Sequence, residues 1–161
     1  MNIYEFAMQM EKDGENYYRE LAKMTMNTGI RSILTMLADA EVDHYNIFKK
    51  MKENEEVKIS DTKILTRVKN IFEKMREEEN NADVHITQTE QYKKAQEIET
   101  ISMKYYLEQA DKVEYPDQKE IFVKIADEEN KHYFILEEII NFVSRPQTWL
   151  ENSEWYHLEE Y

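Results

Sequence analysis

Apolar residues recur three and four positions apart along most of the chain, the spacing of one face of a helix. Ile3, Ala7, Met10, Gly14, Tyr18, Leu21 and Ala22 mark a first helix to about Met26, where Asn27-Thr28-Gly29 interrupts the pattern. A second helix follows from about Ile30 to Lys52, with Ile33, Leu34, Leu37, Ala38, Tyr45 and Phe48 inward. Glu53 to Asp61 is polar and reads as a loop, and Thr62 to about Glu78 is a shorter amphipathic helix through Ile64, Val68, Phe72 and Met75. A third main helix begins between Val84 and Gln91 and reaches about Val113, using Tyr92, Ala95, Ile98, Tyr106 and Ala110. Pro116 suits the first turn of a fourth, because its φ is already helical and it has no N–H to lose. That helix runs to about Val143 and turns Ile121, Phe122, Ile125, Ala126, Tyr133 and Leu136 inward. Pro146 opens a last segment, Gln147 to Tyr161, whose Trp149, Leu150, Trp155, Tyr156 and Leu158 predict a short helix packed on the bundle or across a dimer.

The main helices form two copies of one helical hairpin. Glu11 and Glu99, Glu41 and Glu129, and His44 and His132 are each 88 positions apart. From Tyr4/Tyr92 to Ile47/Ile135 the copies align without a gap and agree at 14 of 44 positions, so an internal repeat organises the chain. The expected architecture is all-α: an antiparallel four-helix bundle of two repeated hairpins, with a connector helix long enough to serve as a crossover and a short C-terminal helix. All 161 residues read as a single domain, with repeat 1 at about 1–54, the connector at about 55–84, repeat 2 at about 85–143 and a tail at 144–161.

Composition narrows the chemistry. Only two glycines and two prolines leave little material for the tight turns of a β-rich fold. A formal net charge of −13 argues against nucleic acid or an anionic membrane as partner and favours cations. The absence of cysteine excludes disulfides, thiolate nucleophiles and iron–sulfur centres, so any metal must sit on oxygen and nitrogen. No apolar run approaches the ~20 residues that cross a bilayer, and the amino-terminal residues do not form a signal peptide. The expectation is a soluble, cytoplasmic protein.

Residues three apart on a helix project from one face, so Glu41 with His44, and Glu129 with His132, can each reach a common centre. Glu11 and Glu99 sit in the apolar stripes of their own helices, where a carboxylate is costly unless paired, protonated or bound to a cation. Packing the hairpins face to face gathers four carboxylates and two imidazoles, whose charge two divalent cations would formally balance. Such a set suits iron, manganese or zinc better than magnesium or calcium.

These motifs resemble the ferritin-like superfamily and, within it, the rubrerythrin-type proteins. Met10-Glu11-Lys12-Asp13-Gly14 with Tyr17-Tyr18 is similar to that family's first helix, Glu99 with Tyr105-Tyr106 to its third, and the two Glu-x-x-His segments to its second and fourth. The resemblance implies a non-haem di-iron centre on Glu11, Glu41, His44, Glu99, Glu129 and His132, with Glu41 and Glu129 bridging two Fe ions per chain. It further implies redox chemistry with hydrogen peroxide or oxygen, of peroxidase, oxidase or ferroxidase type, in protection against oxidative stress. Two departures qualify it. The four-cysteine rubredoxin domain of rubrerythrins proper is not found in these residues, so electrons would come from an external donor such as a rubredoxin-like protein. Ser102 stands where the family tends to carry a further carboxylate.

Around the six ligands, Tyr18 and Tyr106 are candidate donors to ligand carboxylates, and Asp39, Asp127 and Glu128 are candidate acceptors for the outer histidine N–H groups. Ala40 occupies the repeat position of Glu128, which predicts unequal support of the two histidines. Gly14 and Ser102, one turn beyond Glu11 and Glu99, allow either room for a small oxidant or close helix packing. His85 and His157 fall outside the repeats and read as surface residues. The alternatives to a redox enzyme are iron storage in a ferritin-like shell and a structural bundle holding zinc. The long connector and aromatic tail favour a homodimer over a cage.

Overall fold

The computed structural model describes residues 2–59, 62–78 and 88–144. Five helices and no strand occur among them: α1 (Ile3–Met24), α2 (Thr28–Lys52), α3 (Ile64–Glu78), α4 (Thr89–Lys112) and α5 (Pro116–Ser144). The aromatic tail, His85 and His157 lie outside the described residues.

Local chemistry explains the boundaries. The Asn2 side chain accepts a hydrogen bond from the Glu5 N–H at 2.8 Å and caps α1. Asn27 does the same for α2 at the Ile30 N–H, 2.9 Å away. That cap makes Thr28 and Gly29 the first turn of α2, two residues earlier than apolar spacing suggests, because the capping oxygen replaces a partner the turn would otherwise lack. Thr25, in an extended conformation, ends α1, and Arg31 Nη2 closes the short connection by donating to the Thr25 carbonyl at 2.8 Å. After α2 the chain turns through Asn54, whose φ of 57° lies in the left-handed region that asparagine tolerates.

α1 packs along α2 and α4 along α5, giving two hairpins that meet through α1 with α4 and α2 with α5. α3, in the crossover, rests on α2 and α5. The core is divided into two apolar clusters. One gathers Tyr18, Leu21, the Ile30–Ala38 face of α2, Tyr92, Ala95 and Ile135 to Val143, with Val68 and Phe72 of α3 against them. The other gathers Ala7, Phe48, Tyr106, Ala110, Phe122 and Ala126. Every main helix passes from one cluster to the other, and on each helix the predicted ligand positions fall in between: Glu11 between Ala7 and Tyr18, Glu41 and His44 between Ala38 and Phe48, Glu99 between Ala95 and Tyr106, Glu129 and His132 between Ala126 and Ile135. The order in which the helices traverse the clusters makes α1 antiparallel to both α2 and α4.

Val68 and Phe72 are fully buried, so the crossover helix is part of the first cluster rather than a surface strap. Phe72→Ala is expected to cost about 3–5 kcal/mol in chemical denaturation, whereas Ile101→Ala, on an exposed face, stays within about 0.5 kcal/mol.

Candidate metal centre

Between the two apolar clusters, six side chains converge from four helices. Glu11 of α1, Glu41 and His44 of α2, and Glu129 of α5 offer ligand atoms that all lie within 4.8 Å of one another. Glu41, Glu99 of α4, Glu129 and His132 form a second such set. Glu41 and Glu129 belong to both, and all six residues are buried. The two imidazole rings lie nearly parallel, centroids 5.9 Å apart. Each turns Nδ1 toward the carboxylates: His44 Nδ1 is 2.9 Å from Glu129 Oε1 and 3.5 Å from Glu11 Oε2, and His132 Nδ1 is 3.3 Å from Glu41 Oε1 and 3.5 Å from Glu99 Oε1.

Burial disfavours every charge here, and the group responds by sharing protons. Burial and the neighbouring charges of Glu11, Glu129 and Glu99 push the Glu41 carboxyl well above its usual range. Glu129 rises likewise, through burial and the charges of Glu11 and Glu99. Burial also opposes ionisation of Glu11, but the adjacent His44 charge and hydrogen bonds from Glu41, His44 and Tyr106 outweigh it and hold that carboxyl at about 2. Glu99 is lowered against the effect of burial by hydrogen bonding with Glu129 and by His132. His44 is driven well above its usual value: burial works against its charge, and Glu11, Glu128 and Glu129 prevail. The shifts alternate through the cluster: Glu41 and Glu129 are moved toward the neutral acid, Glu11 and Glu99 toward the carboxylate, and His44 toward the imidazolium.

The donor set fits a pair of divalent cations. Glu11 Oε2, Glu41 Oε1, Glu99 Oε2 and His132 Nδ1 are enclosed and have no hydrogen-bond partner. Buried acceptors at this density are expensive unless a cation or donor meets them. Each four-residue set supplies three carboxylates and one imidazole, with Glu41 and Glu129 common to both.

The tyrosines cross between repeats. Tyr18 of α1 donates to Glu99 Oε1 of α4, and Tyr106 of α4 donates to Glu11 Oε1 of α1 at 2.7 Å. Seven positions along a helix correspond to about 10.5 Å of rise, too far for a phenol to return to the glutamate of its own helix, so each reaches the antiparallel neighbour. Burial, then the nearby carboxylates, raise both phenols well above their usual value, which keeps them as O–H donors. With Oε1 engaged, Oε2 of Glu11 and of Glu99 remains for the centre.

Two expected histidine acceptors lie elsewhere. Asp39 is 65% exposed and pairs with Arg19 at 3.0 Å; Asp127 is 51% exposed and pairs with Lys131 at 3.6 Å. Each precedes its histidine by five positions, which places it about 140° around the helix and outside the interior. Glu128 does support a histidine, but one in the other hairpin: its Oε2 lies 3.2 Å from His44 Nε2. Gly14 resolves toward close packing, since a Cβ there would stand 3.0 Å from Glu41 Oε2 and 3.3 Å from Glu41 Cδ. The connector also contributes where sequence spacing gave no signal. Val57, Lys58, Ile59 and Thr62 help enclose a cavity of about 270 Å³ that reaches His44 and Glu128. A larger cavity, about 570 Å³, lies against residues 54–59 and 117–124 and touches none of the six residues.

A helical bundle of two hairpins with this interior defines a ferritin-like protein with the layout of a dinuclear carboxylate centre. The rubrerythrin family model matches residues 2–140, and separately residues 90–153, and the chain belongs to that family. No curated protein and no solved structure matches it. No helix among the described residues is long and apolar enough to cross a membrane.

Gly14→Ala would add a better helix former while pressing on a carboxylate common to both ligand sets. The expected result is folding stability within about 1 kcal/mol of the parent with weaker metal binding, read by denaturation and by chelator competition on the same sample. Proton sharing predicts a pH dependence for the metal-free protein. Above the ordinary carboxylate value of 4.5, folded Glu41 and Glu129 retain protons that the unfolded chain has released, and above 6.5 so does His44. The folded state then binds more protons, and stability falls as pH rises. Glu11 and Glu99 act oppositely: their contribution is present above 4.5 and is lost as pH falls through their lowered values. Tm should therefore be highest at mildly acidic pH and decline toward about pH 8, and the double variant E41Q/E129Q should flatten that decline.

Proposed function

We propose that this member of the rubrerythrin family is a non-haem di-iron redox protein that reduces hydrogen peroxide or oxygen. The observation that carries the reading is the pair of overlapping ligand sets sharing Glu41 and Glu129 in a buried layer of the bundle. Glu41 and Glu129 would bridge two ions, Glu11 and His44 would complete one position, and Glu99 and His132 the other. Two ferrous ions held there would supply the two electrons that, with two protons, convert one hydrogen peroxide to two waters, leaving both ions ferric.

The chain's own residues prepare that chemistry. Tyr18 and Tyr106 hold the terminal carboxylates by one oxygen each, limiting reorganisation when charge at the centre changes. The two apolar clusters on either side exclude water along the bundle axis. Ser102 is buried but offers only a hydroxyl, so the donor set rests on four glutamates and two histidines. These 161 residues contain no cysteine, so the reductant would lie outside this bundle, and a rubredoxin-like protein is the natural class.

Protein loaded anaerobically with about two ferrous ions per chain should consume stoichiometric peroxide and develop near-ultraviolet absorption of a ferric carboxylate centre. E41A should abolish both loading and response. Unchanged absorption after peroxide would refute the redox reading. Uptake of many irons per chain into a large assembly would replace it with storage, and tight zinc binding without iron chemistry would replace it with a structural role.

A further inference from the structure

The six ligands obey the repeat, but their supports do not. His44 directs Nδ1 at Glu11 and Glu129 and places Nε2 3.2 Å from Glu128 Oε2. His132 also directs Nδ1 at the cluster, toward Glu41 and Glu99, yet its Nε2 is enclosed and has no hydrogen-bond partner. Ala40, 88 positions before Glu128, stands where the repeat would put the missing carboxylate. Glu128 is itself buried, and its carboxyl oxygen stands at the outer nitrogen of one histidine only.

A carboxylate on the outer N–H of a ligand histidine fixes the tautomer, orients the ring and makes the coordinating nitrogen more basic. An imidazole whose outer N–H is buried without an acceptor gains none of these and carries a desolvation cost. The cavity of about 270 Å³ adds to the asymmetry, because His44 and Glu128 line it and His132 does not.

We propose that Glu128 is a positioning residue that makes the metal position at His44 the tighter of the two, so that the centre loads in order: first Glu11, Glu41, His44 and Glu129, then the position completed by Glu99 and His132. This rests on the dinuclear reading above. Ordered loading gives the empty His132 position two bridging carboxylates already held in place by the first ion.

Cobalt(II), whose visible spectrum reports its coordination, tests the order when added stepwise to metal-free protein with a competing chelator. The wild type should bind two ions in resolved steps separated by at least about tenfold. H44A should remove the tighter step and H132A the weaker. E128A should weaken the tighter step by about 10- to 100-fold and leave the weaker in place, while A40E, which restores the repeat, should tighten the weaker step. E128Q, which keeps the volume and an acceptor oxygen, guards against a folding defect and should fall between wild type and E128A. Two ions bound with equal affinity, an E128A loss spread over both steps, or an unaltered first step in E128A would overturn the ordered loading while leaving a dinuclear centre in place. Failure of the wild type to bind cobalt, iron or manganese would overturn both readings.

Discussion

Four glutamates and two histidines occupy one buried layer of this bundle, and the cost of placing carboxylates so close together constrains everything around them. Each four-residue set holds its ligand atoms within 4.8 Å. At such separations in a poorly screened interior, like charges cannot all persist. The opposing shifts follow from this: Glu41 and Glu129 are raised against lowered Glu11 and Glu99, and His44 is raised beside them. Two phenols supply further donors from opposite helices. The apolar clusters above and below stabilise a fold whose middle layer is a liability without cations. Because cations would displace protons from these groups, metal binding and folding are thermodynamically linked in this chain.

The same layer explains how the hairpins recognise each other. α1 and α4 meet through the reciprocal bonds Tyr18 to Glu99 and Tyr106 to Glu11, related by the 88-residue offset. A slip of one hairpin against the other would strand two buried phenols and two carboxylates at once. Apolar stripes of similar composition tolerate several registers, whereas paired polar groups in a low-dielectric interior tolerate few. The polar layer therefore sets the register of the bundle as well as its chemistry.

Much of this was legible in the sequence, and for identifiable reasons. Glu41 with His44 and Glu129 with His132 share helix faces by spacing alone, and acids in the apolar stripes at Glu11 and Glu99 are anomalous enough to mark an interior site. Helix ends were harder, as at α2, where Asn27 recruits Thr28 and Gly29 into the first turn although both residue types favour a break. Contacts between helices were hardest. Proximity in sequence suggested Asp39 and Asp127 as histidine partners, but angular position turns both outward. Glu128, four residues before His132, serves His44 instead, because the side chains of antiparallel α2 and α5 interleave across the interface. The crossover's approach to His44 depends on how a loop folds back, for which no periodic signal exists.

An internal repeat begins as two equal halves, and what later distinguishes them records where equality was not needed. The six converging glutamates and histidines and both tyrosines are kept in the two copies. Divergence extends over 30 of the 44 aligned positions and reaches the surroundings of the cluster: Gly14 stands against Ser102, and Ala40 against Glu128. Gly14 leaves the Glu41 carboxylate in space that a Cβ would crowd, and the equivalent serine brings a larger side chain to the other half. The crossover adds a third inequality, since α3 rests on α2 and α5. These differences leave the six converging side chains untouched while making the packing and hydrogen bonding around the two four-residue sets unequal: His44 Nε2 meets Glu128, and His132 Nε2 has no partner.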